Sequence, residues 1–454
     1  MRPVSPRLTL AGLVLVITVV AVEAMSVATV MPTVVRHLHG LHWYGWSFTA
    51  YFLADVVGMV DAGARCDRHG PRSSLVGGLA MFGVGLLTAG LAPDMAVFTL
   101  GRAFQGLGGG SLIVAVYVVI ARGFDQERRP RVFAAMSGAW VVPALVGPAA
   151  AGAVTDWVGW RWVFLGIAPL AALGALMLVP VVRAVSASGT AGAPRLGLVG
   201  GVRLAAGLAL GQLAGQRHDL TAIPLLILAV AVAGPPLVRL LPPGALRGGR
   251  GLPTAVVLRG LLSGGFFGAE AYLPLTLARL HHGAPTEVGI PLTLGAIGWS
   301  SGSWLQGRFR AQDRRPLLRA GFSLVAIGVA MLTVLTISDL TLWAAAPIWM
   351  VAGAGMGLAM PTISVLVLHL SPEPEQGANS AALQVADVVG STIGVTLAAT
   401  AVLVAGTAHL ATALQVADPL LALIGVGGLF LSSRVGEHMT AESSVKSLDA
   451  VQRA

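Results

Sequence analysis

The sequence predicts an all-α polytopic membrane protein, with two six-helix bundles and two extra central helices. Of its 454 residues, 55% are hydrophobic and only 11% are charged, whereas about a quarter are charged in an average soluble domain. The chain also contains fourteen apolar windows of roughly 20 residues, the length that a helix needs to cross a bilayer. Weak internal repetition then relates the first six windows to the last six.

The first six windows predict an N-terminal six-helix bundle, which we place at residues 1–183. The first window is too long for a cleaved signal peptide and is interrupted by Glu23. The second bundle is predicted at residues 254–435, followed by a cytoplasmic tail at 436–454. The predicted helices of the two bundles are Leu8–Met31, Tyr44–Ala64, Ser73–Ala92, Met95–Ala121, Val132–Val154, Trp162–Val182, Thr254–Leu277, Val288–Gln306, Leu317–Ile337, Leu340–Leu370, Asn379–Ala405 and Thr412–Val435.

Residues 184–253 separate the bundles. Ala184–Pro194 is rich in Ser, Ala and Gly and predicts a linker. Two weaker apolar windows follow, Leu196–Ala214 and Thr221–Leu241, and then a turn rich in Pro, Gly and Arg. We therefore expect two extra transmembrane helices between the bundles.

Basic residues predict the orientation. If both termini are cytoplasmic, most of the 29 basic residues fall in cytoplasmic turns, as the positive-inside rule requires. Only four are then expected on the outer side, namely Arg36, Arg161, Arg217 and Arg279. Because the arginines lie in short turns and not on a folded basic surface, the net charge of +9 does not indicate a nucleic-acid partner.

The repetition is clearest in two glycine-rich helices. Gly106–Gly110, in the fourth window, falls on Gly353–Gly357 when the sequence is shifted by 247 positions. Transporters built from parallel halves show such symmetry and bind substrate near the midplane between the halves.

A polar stretch between the second and third windows carries a family resemblance. Its pattern has Gly63, Asp67, Arg68, Gly70 and Arg72 at the spacing Gly-x3-Asp-Arg-x-Gly-x-Arg. Such a turn needs a glycine for an unusual backbone angle and a carboxylate for a helix end. The pattern resembles the corresponding loop of the major facilitator superfamily of transporters. We expect this segment to gate the conformational change without touching substrate.

Arg102 in the fourth window shares a helical face with Gln105 and three glycines, which places its guanidinium inside the bundle. A buried arginine needs an acidic partner, and Glu23 and Asp55 are predicted at similar depth. Arg-x-x-Gln-Gly is similar to the fourth-helix motif of the same superfamily, which implies a role for Arg102 in proton coupling. Glu23 and Pro32 resemble the first-helix pattern of fourteen-helix drug/proton antiporters, so we expect Glu23, with Asp55, to carry protons.

Acidic residues within the apolar windows are costly to hold charged and predict a cavity, a partner or a bound proton. Glu270 and Asp387 lie in the second bundle, and we expect them to contact substrate together with Gln105 and Trp140. Asp61 lies close to the cytoplasmic end of its predicted helix, where its side chain can reach the headgroups.

The fifth window contains two prolines and several glycines, which remove helix hydrogen bonds and permit close packing. Pro143, Gly147, Pro148 and Gly152 resemble the fifth-helix motif of exporters and antiporters, with Pro143 where that motif has Gly. The resemblance implies the export direction.

These observations together predict export of lipophilic small molecules, such as drugs, in exchange for protons across a bacterial cytoplasmic membrane. The excess of acidic residues within the membrane windows leads us to expect cationic substrates. The substrate, protons and membrane lipids are the expected partners, and we expect a monomer. The proton gradient supplies the energy, so no cofactor or metal is expected, and the sequence lacks a Walker phosphate loop. A dedicated exporter of a self-made metabolite or lipid stays open. A membrane enzyme or sensor is a remote alternative, because every predicted loop is short.

Overall fold

We describe the fold from a computed structural model. It describes residues 6–124, 129–184, 197–217, 219–309, 313–337, 340–372, 375–405 and 409–435. The predicted tail at 436–454 and most of the linker Ala184–Pro194 lie outside these residues.

The described residues form fifteen α-helices joined by short turns, as the all-α prediction requires. Twelve segments among them are long and apolar enough to cross a membrane, and α2 and α11 are of similar length but more polar. The helices are α1 (Pro6–His37), α2 (Tyr44–His69), α3 (Pro71–Gly90), α4 (Met95–Gly123), α5 (Arg129–Trp157), α6 (Arg161–Leu165), α7 (Ala168–Ala184), α8 (Leu198–Gly215), α9 (Ala222–Leu240), α10 (Leu252–Arg279), α11 (Pro285–Arg308), α12 (Arg315–Ile337), α13 (Ala345–Leu370), α14 (Gln376–Ala405) and α15 (Leu410–Leu431).

One predicted helix is divided in two. The window Trp162–Val182 is occupied by the short α6 and the longer α7, with Gly166 and Ile167 between them. Pro169 lies at the start of α7, where it has no amide hydrogen for the carbonyl of Leu165 and its ring would clash with that carbonyl in a continuous helix. Counting α6 and α7 as one segment gives fourteen membrane-length segments, which agrees with the predicted number.

We call the two ends of the helical bundle the terminal face, where α1 begins at Pro6, and the opposite face, where α1 ends at His37. We call α1–α7 the first half and α10–α15 the second half. Because the helices alternate in direction, α2 begins at the opposite face and ends at the terminal face.

Glycines bring equivalent helix pairs of the two halves into close contact. A Cβ atom at Gly106 or Gly110 of α4 would collide with the backbone carbonyl of Tyr51 or Asp55 of α2. In the second half, a Cβ atom at Gly357 of α13 would meet the carbonyl of Trp299 of α11 in the same way. Small residues at such an interface let two backbones approach closely. The sequence repeat therefore marks the same helix–helix contact in each half.

The first extra helix, α8, packs beside the line where the halves meet, and α9 packs mainly on α8. Gln212 of α8 is buried, and its side-chain oxygen accepts hydrogen bonds from Thr49 of α2, at 3.4 Å, and from Thr396 of α14. A Cβ atom at Gly215 would also collide with the Thr400 side chain of α14. The helix α8 is therefore bonded to the first half and to the second half at once.

Candidate functional site

A cavity of about 470 Å³ lies between the two halves. Helices of both halves supply its walls, which are mostly apolar and include aromatic and methionine side chains. Such a composition is typical of a site that binds a lipophilic small molecule. The charged side chains that line it among the described residues are Asp55, Arg102, Arg259, Glu270 and Asp387.

Arg102 forms one buried charge network of the first half. Its guanidinium donates hydrogen bonds to the Glu23 carboxylate, to the Gln105 side-chain oxygen at 2.8 Å and to the Ser47 backbone oxygen at 3.2 Å. It also lies over the Tyr51 ring, 4.4 Å from the ring centre. Arg102 is 3% exposed and Glu23 is 1% exposed, so each charge depends on these contacts and not on water. Of the two predicted acidic partners, Glu23 is the one that pairs with Arg102.

Arg259 and Asp387 form a second ion pair, which lies in the second half and is partly buried. The Arg259 Nε atom donates to the Asp387 Oδ1 atom at 2.7 Å, and the Ser263 hydroxyl donates to the same oxygen. Arg259 also reaches the Ser364 hydroxyl at 3.4 Å. Asp387 thus lines the cavity, as expected, but its charge is balanced within its own half.

Two cavity carboxylates have no such partner. No described residue donates a hydrogen bond to Asp55, which is 6% exposed and has one carboxylate oxygen that is buried and unpartnered. No ion pair joins Glu270 to a described residue either, although this carboxylate lines the cavity. The two acids lie on helices of different halves, α2 and α10. Once the two pairs are balanced, the ionised cavity would carry a surplus of negative charge.

Of the two other residues expected at the cavity, Trp140 and Gln105, only one lines it. Trp140 of α5 lines the cavity. Gln105 is not among the lining residues, which differs from our expectation. Its side chain is fully buried, accepts the hydrogen bond from Arg102 and packs against Gly85 of α3. The reason is the rotation of α4, which directs position 105 toward the neighbouring helix of its own half.

The glycine and proline motif lies in α5, which stays helical through Pro143 and Pro148. Gly147 packs on Met25 of α1, and a Cβ atom at Gly152 would collide with the Pro285 backbone at the start of α11. The motif therefore allows α5 to approach both α1 and the second half.

Hydrogen bonds close the cavity toward the opposite face. The Asp156 carboxylate, near the end of α5, accepts from the Thr286 amide at 2.9 Å. The Tyr44 hydroxyl, at the start of α2, donates to the Ala271 backbone oxygen of α10 at 2.6 Å. These cross-half bonds all lie nearer the opposite face than the terminal face. Toward the terminal face the cavity is lined by Tyr117 and Met136.

The predicted gating segment lies at the terminal face, where α2 meets α3. Gly70 has φ of +80° and ψ of 171°, a conformation that essentially only glycine adopts, which confirms the expected unusual angle. Arg68 and Arg72 are exposed, and no atom lies within 4 Å of a Cβ added at Gly63. The side chain of Asp67 lies outside the described residues. The gating role of this segment stays a prediction.

Outside this segment, Asp61 forms an ion pair with Arg65 one helical turn away, and the Arg65 side chain is 51% exposed. The turn before α12, which is the counterpart of the gating segment in the second half, has the analogous pair Asp313 and Arg315. Hydrogen bonds from Arg315 hold the pKa of Asp313 below its usual range.

Two buried ionisable residues were not expected. Arg259 lies within a predicted helix, but its pairing with Asp387 could not be read from the sequence, because the two residues are 128 positions apart. Asp418 of α15 is 5% exposed and lies away from the cavity lining. A carboxylate within the apolar window Thr412–Val435 was the available signal for this residue.

A twofold arrangement of helices around a central cavity defines the class of protein, a membrane transporter built from two bundles. Residues 13–395 match the Major Facilitator Superfamily, and the chain belongs to this family, whose members are transporters and not enzymes. One relative, named a probable multidrug-efflux transporter of Mycobacterium tuberculosis, is 30% identical over 421 residues and covers 88% of each chain. A second, multidrug resistance protein 3 of Bacillus subtilis, is 25% identical and covers 87% of this chain and 79% of the relative.

Solved structures show the same fold at lower identity. An autoinhibited peptide transporter of the POT family superposes with a TM-score of 0.67 at 15% identity, covering 95% of this chain and 97% of the other. A second POT family transporter, in complex with 5-aminolevulinic acid, gives a TM-score of 0.68 at 12% identity. At these identities the likeness concerns the fold alone.

Proposed function

We propose that this protein exports lipophilic cationic small molecules in exchange for protons, across a bacterial cytoplasmic membrane with both chain termini in the cytoplasm. The observation that carries the proposal is the pairing of charges in the central cavity. The walls are apolar, two ion pairs are balanced, and Asp55 and Glu270 are left without a cationic partner.

An apolar cavity with surplus carboxylates favours a cation that also has apolar surface. Burial removes most of the water that would otherwise screen the charges. A lipophilic cation could therefore replace the missing partners of Asp55 and Glu270, whereas a lipophilic anion would meet unfavourable charge. Relatives named multidrug-efflux transporters support the same substrate class.

The proton step uses the same charges. A proton and a cation compete for a carboxylate, so binding one favours release of the other. We assign this exchange to Asp55, which faces the cavity, and to Glu23, whose only described partner is Arg102. Protonation of Glu23 would free the Arg102 guanidinium and make the first half more positive, which would expel a bound cation.

The proposal can be tested in everted membrane vesicles, by measuring the uptake of a fluorescent cationic dye that an imposed pH gradient drives. We expect Glu270→Gln to weaken apparent dye affinity, and Glu23→Gln to abolish the response to the pH gradient. Asp418→Asn is the matched control, because Asp418 is a buried acid outside the cavity. Full gradient-driven transport by Glu23→Gln would refute the coupling assignment. Unchanged cation preference in an Asp55→Asn, Glu270→Gln double variant would refute the substrate class.

The orientation can be tested separately with single cysteines on a variant in which Cys66 is replaced by Ala. Cysteines introduced at His42 and at Arg68 lie at the opposite and the terminal face, respectively. In intact cells a membrane-impermeant thiol reagent should label position 42 and spare position 68. The reverse pattern would show that the termini lie outside.

A further inference from the structure

A second cavity, of about 270 Å³, lies at the opposite face and is separate from the central cavity. The last two turns of α1 form one wall, and the end of α10 with the start of α11 forms the other. It therefore lies across the boundary between the two halves. None of its lining residues also lines the central cavity.

The polar groups of this cavity are mostly hydrogen-bond donors. Arg36 of α1 faces it from the first half, and Arg279 and His282 face it from the second half. Neither arginine forms an ion pair with a described residue. No carboxylate is among the lining residues. This cavity therefore contains two of the four arginines that the sequence places on the outer side of the membrane.

Nearby carboxylates are engaged elsewhere. Glu287 accepts a hydrogen bond from the Ala284 amide at 2.9 Å, where it caps the start of α11. Asp156 accepts from the amide and the hydroxyl of Thr286. Neither acid forms an ion pair with Arg36 or Arg279, so both guanidinium groups keep their donors free to bind an anion in the cavity.

The inner end of the cavity holds a polar group without a partner. The hydroxyl oxygen of Thr29 is buried, lines the cavity and has no hydrogen-bond partner, and Thr29 is 1% exposed. A buried hydroxyl of this kind is normally satisfied. His282 has φ of +54°, in the left-handed region that few residues other than glycine adopt. The unsatisfied Thr29 hydroxyl is expected where a bound group completes its contacts.

We propose that this cavity is an anion site that takes a phosphate group and joins the two halves at the opposite face. Guanidinium groups match phosphate oxygens in geometry and charge, and Thr29 and His282 add further donors. A phosphate held by Arg36 on one side and by Arg279 on the other stabilises the arrangement in which the halves are closed at this face. The phosphate comes either from the headgroup of an anionic phospholipid or from a free phosphate compound, because the cavity lies at the ends of the spanning helices.

Thermal unfolding of the purified full chain tests the proposal and distinguishes the two sources. The chain is placed in nanodiscs of phosphatidylcholine, with or without phosphatidylglycerol, and the phosphatidylcholine sample is also titrated with inorganic phosphate at constant ionic strength. Stabilisation by phosphatidylglycerol alone identifies the lipid as the source, and saturable stabilisation by phosphate identifies a free anion. The absence of both effects overturns the proposal.

Variants attribute the effect to this cavity. We expect the double variant Arg36→Gln, Arg279→Gln to lose the stabilisation, and Thr29→Val, which retains side-chain shape, to weaken apparent anion affinity by about tenfold. Arg217→Gln is the matched control, because Arg217 is a basic residue expected on the same side but absent from the cavity lining. Stabilisation that survives in the double variant, or that is lost equally in Arg217→Gln, would overturn the proposal.

Discussion

Removing Arg102 should be much more damaging than removing its partner Glu23. Glu23 has one described hydrogen-bond partner, Arg102, and its second carboxylate oxygen is already unpartnered. Arg102→Gln therefore leaves a carboxylate alone in a buried site, which costs about 3–5 kcal/mol. Glu23→Gln leaves the guanidinium with the Gln105 and Ser47 oxygens and the Tyr51 ring, and we expect it to cost about 1–3 kcal/mol.

The assay is the midpoint of thermal unfolding in one detergent, for which roughly 2 °C per kcal/mol predicts a decrease of about 6 °C or more for Arg102→Gln. The double variant Glu23→Gln, Arg102→Gln should be more stable than Arg102→Gln alone, because neither charge is left buried. Arg65→Gln is the control, since the Arg65 side chain is 51% exposed and its pair should contribute about 1 kcal/mol or less. A double variant as unstable as the sum of the two single variants would show that the charges are not coupled.

The remaining predictions concern glycines and the closed face. Gly70→Ala should lower the unfolding temperature, because its backbone conformation costs about 1–3 kcal/mol for other residues, whereas Gly63→Ala, with no atom within 4 Å, should leave it unchanged or raise it. Gly357→Leu should prevent the approach of α13 to α11, which would be measured as loss of folded protein on size-exclusion chromatography; a normal elution profile would contradict the packing. Asp156→Ala removes the hydrogen bonds to Thr286, worth about 1 kcal/mol, so accessibility of a cysteine in the central cavity to an impermeant reagent from the opposite face should rise about fivefold. Unchanged accessibility would show that these bonds do not hold this face closed.

Apolar segments and glycine stripes could be predicted because they depend on local periodicity. A helix that crosses a bilayer needs a fixed number of apolar residues, and a helix that packs closely needs small residues at one spacing. The pair Gly106–Gly110 and Gly353–Gly357 therefore marked the same contact in both halves. The interruption before Pro169 follows a local rule as well, although a search for apolar windows passes over it.

Side-chain partners could be predicted only in part, because they depend on how each helix is rotated. The depth of Arg102 limited its partner to Glu23 or Asp55, but depth alone could not choose between them. Arg102 and Gln105 lie on roughly the same face of α4. However, two side chains that are three positions apart on a helix point about 60° away from each other, which is enough for Gln105 to face α3 and not the cavity. Asp387 was recognisable as costly within its apolar window, but its pairing with Arg259 emerged only from the packing of α10 on α14.

The positions of the charge pairs bear on how the halves could move. Glu23 with Arg102 lies wholly within the first half, and Arg259 with Asp387 lies wholly within the second. Separation of the halves therefore breaks neither ion pair, which avoids above all the large cost of isolating the buried charge of Glu23 or Arg102. The contacts that must break are uncharged or exposed hydrogen bonds at the opposite face, such as that from Tyr44 to Ala271. Gln212 differs from these contacts because its side-chain oxygen accepts hydrogen bonds from both halves. When the halves separate, α8 therefore has to move with one half and lose its hydrogen bond to the other.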